Sequence, residues 1–324
     1  MNQTLSIAPF LDGLVVRPGA SYQGLHIFPV CLVSSEFERT DESLASLSEG
    51  LQAGRLLIGE TGRMETVRVR NAGAASVLLL DGETLIGGAQ NRMLSAAAVV
   101  PPRLETELAS SCVEVHRWDI KSQAGIPDDR RAFQRSAMAY GALRRLRMEL
   151  AHKSLRAART VHVDQKAVWK NIAMQFGVSG AHTKTLDMHD LYDFWDAALR
   201  IFEPRFYIHR NQIGIISFHD KCTWFVDLFR NHDMLYKYFK PLVRSYALDA
   251  LIRLQAETPA RGKPQLEDAR NLFKSLRTAM CHSFPVTGGA HGMYFSTRSG
   301  LGTTLTTDSR IVQLSACSMQ RNQD

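Results

Sequence analysis

The hydrophobic and polar positions of the chain change their rhythm twice. In the first third they follow strand rules. Residues 24–33 (GLHIFPVCLV) form a β-rich run whose Pro29, lacking a backbone N–H, predicts an edge or bulged strand. Residues 64–70 alternate, with Val67 and Val69 on one side and Thr66, Arg68 and Arg70 on the other; Asn71-Ala72-Gly73 then turns into the apolar run 76–80, which predicts a hairpin. Further strands are expected over 93–100 and 104–118. One short helix interrupts them at 42–53, where Leu44, Leu47 and Leu51 recur at helical spacing before Gly54.

From Pro127 the spacing becomes helical. Pro-Asp-Asp is a start signal, and Phe133, Ala137, Tyr140, Leu143 and Leu146 supply an apolar stripe, so 128–159 is expected as one long helix or a broken pair. Helical spacing continues over 163–176 and 187–202. Strands follow at 212–218 and 223–228, helices at 235–255 and 265–279, and short alternating runs over 283–317. The prediction is an α+β fold: antiparallel β-rich segments at both ends, sandwich-like, around a helical middle. The expected organisation is one composite domain with a β-rich part at 1–120, a mostly helical part or insertion at 121–210, and strands and helices at 211–324 that complete it.

Composition keeps this picture within ordinary globular bounds: 324 residues, 45% hydrophobic and 22% charged. No apolar run approaches the roughly 18–20 residues of a membrane span, and the first residues lack the positive flank and apolar stretch of a signal peptide, so a cytoplasmic protein without membrane contact is expected. The five cysteines are scattered with no Cys-x-x-Cys, and the histidines include no His-Glu-x-x-His; neither a disulfide framework, a metal site nor another cofactor is expected. A net charge of +7 favours anions, with its distribution mattering more than its sum.

Three stretches carry candidate chemistry. Asp81–Arg92 packs two carboxylates, three glycines, two amides and an arginine behind an apolar strand, yet lacks the lysine and spacing of a phosphate loop. In Ser111–Trp118, a strand would put Cys112, Glu114, His116 and Trp118 on one face and Arg117 on the other; Cys112 and His116 would then stand about 13 Å apart, too far for a nucleophile–base dyad. Arg131, Arg145, His152, Arg156 and Arg159 would share a sector of about 80° on a continuous helix, a basic stripe able to follow a nucleic-acid backbone.

Residues 78–92 (LLLDGETLIGGAQNR), Ser111-Cys112-Val113-Glu114 with Arg117-Trp118, Gln165 with Val168-Trp169, Asp227-Leu228-Phe229 and Ser245–Leu251 together resemble the ARG and rhodanese-phosphatase-superfamily-associated protein family. The family's usual Gly-Ala-Lys-Gln-Asn-Arg pattern departs here at Ala89, where it carries lysine. The resemblance implies handling of ADP-ribose, nucleotides or RNA ends in a repair or conflict system. The expected ligand is a small nucleotide-like or ADP-ribose-like anion, held by Gln90, Asn91, Arg92, Arg117 and Trp118. Glu83 or Glu114 would act as general base if the protein hydrolyses or transfers at a phosphate or glycosidic bond. The alternative is a non-enzymatic accessory protein that binds RNA or a partner protein through Arg131, Arg145, Arg156 and Arg159.

Overall fold

A computed structural model describes residues 6–33, 44–117, 133–288 and 290–319. The chain forms two compact units. The first takes Met1–Glu42, Arg200–Pro285 and Ala290–Asp324, and the second takes Ser43–Leu199 and Val286–Gly289. The expected α+β composition is present, with antiparallel strands at both ends and helices between. Among the described residues, no helix is long and apolar enough to cross a membrane.

The first unit is built on a nine-stranded antiparallel sheet. Its path runs Leu14–Val16, Leu25–Leu32, Gln212–Asp220, Thr223–Phe229, Arg310–Ser318, Gly300–Thr307, His291–Ser296 and Met280–Pro285, and Ala20–Tyr22 also pairs with Leu25–Leu32. On one face Val30, Ile216, Val226 and Leu314 join Ala269 and Phe273 of the helix Leu266–Leu276 in a core. The helix His232–Gln255 packs on Gln212–Asp220 and Thr223–Phe229. The strands Leu25–Leu32 and Gln212–Asp220 are buried along their whole length, which is why their sequences read as runs rather than alternations.

Of the expected edge or bulged strand, the edge is corrected by pairing on both sides of Leu25–Leu32, and a register shift between Gln212 and Gly214 of its partner strand interrupts one of those pairings. The Pro29 carbonyl accepts from Arg17 N. In an extended strand a residue's N and C=O point the same way, so the missing donor is aimed at Arg17–Gly19, where the partner passes between its two short strands. A ladder bond is missing only where there is no ladder.

The second unit holds a six-stranded sheet, in the order Phe133–Met138, Glu83–Gly87, Arg92–Leu94, Glu105–Cys112, Thr66–Asn71 and Leu56–Glu60, and a three-stranded one, Ala98–Val100, Val77–Leu79 and Ala45–Ser46. Leu47, Leu56, Val67, Val69, Leu79, Leu85 and Phe133 belong to its apolar core. The hairpin expected from residues 64–80 does not form. Thr66–Asn71 and Val77–Leu79 lie in different sheets, and Asn71 makes the exit: its amide donates to the carbonyls of Ala75 and Val100, each at 2.9 Å, and its Oδ1 accepts from Gly73 N. Asn71→Ala should cost about 2–3 kcal/mol, since it orphans buried backbone groups, and a urea unfolding curve would register the loss as a lower midpoint. An unchanged midpoint would remove Asn71 from this role.

The long helix expected over 128–159 is also corrected. Phe133–Met138 is a strand paired with Glu83–Gly87, and the helix runs only Gly141–Ala158. Phe133 and Ala137 fit a helical stripe, but Phe133 serves the sheet core instead. The helices Gln165–Ser179 and Met188–Phe194 complete the helical part of this unit. Arg144, Arg147 and His152 turn inward on Gly141–Ala158, so the basic stripe is interrupted at His152.

Candidate functional site

The polar stretch Asp81–Arg92 folds as a hairpin in which Thr84 pairs with Met93 and Leu85 with Arg92. Gly88 makes its turn at φ +59°, where a side chain would be strained and a Cβ would also meet the Phe133 ring at 2.7 Å. Alternation along the first strand sends Leu85 into the core and Thr84 to the opposite face. Glu83 shares the Leu85 side. Its carboxylate accepts from Leu80 N at 2.6 Å, and burial, aided by the nearby Asp81 charge and opposed by that hydrogen bond, pushes its pKa up to about 8.

Arg92 is wholly buried. Its guanidinium donates to Glu60 at 3.0 Å and to the Met64 carbonyl at 2.8 Å, so the positive charge faces the frame of the hairpin. Ala89 N also donates to Glu60, which therefore ties both arms of the turn. Gln90 is buried with its amide donating to the Glu114 carbonyl.

Asn91 is the hub. Its Oδ1 accepts from Gly87 N and from Arg117 Nη2, its backbone N–H donates to Glu114, and its amide donates to Asp187 at 2.8 Å. The strand expected over 104–118 ends at Cys112, and the chain bends at Val115–His116. The bend brings Arg117 back to Glu114, Nε to Oε2 at 2.7 Å, rather than to the opposite face that continuous alternation would dictate. Glu114 is nearly sequestered, with Oε1 accepting from Thr185 as well, whereas the Arg117 side chain is 41% exposed. Cys112 is buried, donates to the Glu114 carbonyl and has its pKa raised by burial; His116 is exposed. Gln165 clamps the Cys112 backbone from both sides, donating to its carbonyl and accepting from its N–H.

Three residues of this centre, Thr185, Asp187 and His189, were given no role from sequence. Asp187 caps the helix Met188–Phe194, and its Oδ1 stands 2.9 Å from His189 Nδ1; His189 Nε2 lies 2.9 Å from the Thr84 hydroxyl. Burial alone would raise the Asp187 pKa, but the hydrogen bonds and charge of His189, with the Asn91 amide, hold it below the usual value. Leu186, just before it, has φ +52°, an uncommon backbone state for a bulky residue. The sequence signal was there as Thr185-Leu-Asp187-Met-His189, an N-cap pattern, and it pointed to a helix start alone.

The structure thus joins Asn91, Glu114 and Arg117 with Thr84, Thr185, Asp187 and His189. It turns Glu83 and Arg92 to the core side of the hairpin. Trp118 and Arg131 lie outside the described residues. Arg145 is half-buried on its helix, and Arg156 and Arg159 are exposed. Among the described residues no group of three His, Cys, Asp or Glu side chains is placed to hold a metal ion.

The sequence model of one protein family, the ARG and Rhodanese-Phosphatase-superfamily-associated Protein domain, matches residues 13–317. No curated protein and no solved structure matches the chain.

Proposed function

The chain belongs to this family over residues 13–317, and on that premise we propose that the Asn91–Arg117–His189 centre binds a nucleotide-like or ADP-ribose-like anion and hydrolyses a phosphate or glycosidic bond in it. The observation that carries the reading is the Asp187–His189–Thr84 array beside a half-exposed arginine. A carboxylate on Nδ1 holds the proton there and leaves Nε2 to accept. Thr84 is fully buried and fixes the ring at rest. In turnover Nε2 takes a proton from water; the water oxygen bonds to phosphorus or to the anomeric carbon, the bond to the leaving oxygen breaks, and His189 returns the proton to that oxygen.

Arg117 supplies the anion contact. Its Nε and Nη2 are held by Glu114, Asn91 and the Gly87 carbonyl, which aims the guanidinium before a ligand arrives. In this reading Glu114 positions Arg117, and the base role passes to His189 from Glu83 and Glu114.

A thermal-shift panel of ADP-ribose, NAD, cyclic nucleotides and short RNAs tests it, because a ligand that binds only the folded state raises the melting temperature. Arg117→Ala should erase the shift. His189→Gln should keep most of it while lowering turnover about 10²–10⁴-fold. The proposal is sunk if no member of the panel shifts the wild type or is turned over.

A second reading has its own observation. Lys153, Arg156, Arg159, Lys166 and Lys170 are exposed, and none of the five enters an ion pair with a described residue. This leaves a positive surface on the helices Gly141–Ala158 and Gln165–Ser179, suited to an RNA backbone in an accessory protein without catalysis. Reversing Arg156, Arg159 and Lys166 together should flatten the salt dependence of RNA binding, measured by anisotropy, by about two units of log–log slope. An unchanged slope would eliminate this surface.

A further inference from the structure

The first unit contains a cavity of about 440 Å³ that neither reading above uses, within the range of about 300–1,000 Å³ typical of small-molecule sites. Its floor is apolar and buried: Phe206, Phe239 and Val243. Its rim is different in kind. Tyr207 is 66% exposed, the Lys240 side chain is 71% exposed, and Arg200 is exposed as well.

One wall carries Glu203, and that carboxylate is matched twice, by Arg244 Nη1 at 2.5 Å and by Lys240 Nζ at 3.0 Å. Burial alone would raise its pKa, but the hydrogen bonds and charges of Arg244 and Lys240 hold it below the usual carboxylate range. Glu203 therefore stays charged and satisfied, and it repels a further anion less than a bare carboxylate would. Arg200 and Lys240 thus set two cationic side chains at the mouth, while Glu203 is matched by Arg244 and Lys240. The Lys240 end of its pair with Glu203 is exposed to solvent, and Arg244 also holds that carboxylate, so the ammonium can turn to an incoming acid at small cost.

The neighbouring backbone also departs from the ordinary. Pro241 sits inside the helix His232–Gln255, between the two cavity residues Lys240 and Val243, and takes one backbone donor out of the helix there.

We propose that this cavity is a second ligand site, independent of the Asn91–Arg117–His189 centre, for a small amphiphilic monoanion: a flat hydrocarbon body on Phe206, Phe239 and Val243, and one carboxylate or sulfonate at Lys240 and Arg200. Aromatic rings on the floor provide flat faces at low entropic cost, and a charge confined to the mouth orients the ligand with its acid outward.

Two fluorescent probes separate the two elements of the site. 8-Anilinonaphthalene-1-sulfonate has the ring body and the acid; N-phenyl-1-naphthylamine has the body alone. The sulfonate should bind the native chain once per molecule, several-fold tighter than the neutral amine. Val243→Trp, which fills the floor, should weaken both more than tenfold. Lys240→Glu should leave the amine unchanged and abolish the preference for the sulfonate. Tyr207→Ala, at an exposed position, should weaken both about threefold and keeps the test readable if Val243→Trp does not fold. Multiple weak binding that ignores all three substitutions would overturn the site. Equal affinity for the two probes in the wild type would overturn its assignment to anions. A Tyr207→Ala chain that changes oligomeric state in sedimentation would mean that the cavity belongs to an interface, and the proposal would fall. Arg117→Ala should change none of these readings, which keeps this result separate from the fate of the first proposal.

Discussion

Replacing Arg147 by alanine should destabilise the second unit by about 3–5 kcal/mol, a large part of the roughly 5–15 kcal/mol that a domain possesses. Arg147 lies inside the helix Gly141–Ala158 with its side chain 2% exposed, and its guanidinium donates to the Asp81 carboxylate and to the Ser95 carbonyl at 2.8 Å. Removing it takes the Arg147 charge from a buried carboxylate at the root of the candidate hairpin and a donor from the Ser95 carbonyl just beyond it. The native pair itself need not be strongly stabilising, since two charges had to leave water to form it. The asymmetry is the point: breaking one partner costs more than the pair contributes. Urea unfolding followed by circular dichroism gives the number. The double substitution Asp81→Asn with Arg147→Met should recover about half of the loss, because it removes both buried charges of the pair together. A loss below about 1 kcal/mol for the single variant would mean that water reaches Asp81.

The second large effect concerns pH and Glu83. Its folded-state pKa, pushed up to about 8 chiefly by burial, stands above the ordinary 4.5, so the folded chain holds a proton that the unfolded chain has released. The sign follows from linkage: the stability contributed by Glu83 is fullest below pH 4.5, falls as pH rises through the window from 4.5 to about 8, and then levels. The slope is about 1.4 kcal/mol per pH unit, and the whole span is on the order of 4–5 kcal/mol. Glu83→Gln should remove this slope, since the amide oxygen can still accept from Leu80 N and no carboxyl remains to ionise. The variant should therefore gain on the wild type steadily between pH 5 and pH 8. Parallel stability curves would show that Glu83 does not titrate in this window.

Both effects sit in a stretch that was conspicuous in the sequence for its polar density, yet neither was visible there. Residues 81–92 show two carboxylates and an arginine, and nothing local tells which of them will be buried. Asp81 finds Arg147, Arg92 finds Glu60, and Asn91 finds Asp187, partners that the chain supplies from far away. Arg117 was expected on the face opposite Glu114 because a strand alternates; a two-residue bend reversed that and made them a pair.

Local rules did better with elements than with partners. Residues 66–70 alternate because one face of that strand is buried and the other is wet, and 56–60 pairs beside it. Gly54 ends the short helix at φ +63°, as its permissive backbone allows. The helix expected at 235–255 is observed as His232–Gln255, capped by Asn231. Where the reading of elements failed, as at 64–80 and 133–140, the choice lay between alternatives of nearly equal local cost. Sheet pairing with residues distant in sequence then decided it.

By itself, then, the amino-acid order determined the kinds of element, their rough sequence and the presence of an unusual polar cluster, because periodicity, capping and glycine conformations are set within a few residues. Only the tertiary structure decided that Arg92 and Glu83 belong to the frame, that Arg117 faces outward, and that Thr84 and Asp187 meet at His189. The physical reason is that a side chain's charge state and availability depend on what excludes water from it, and the groups that do so lie up to about a hundred residues away along the chain.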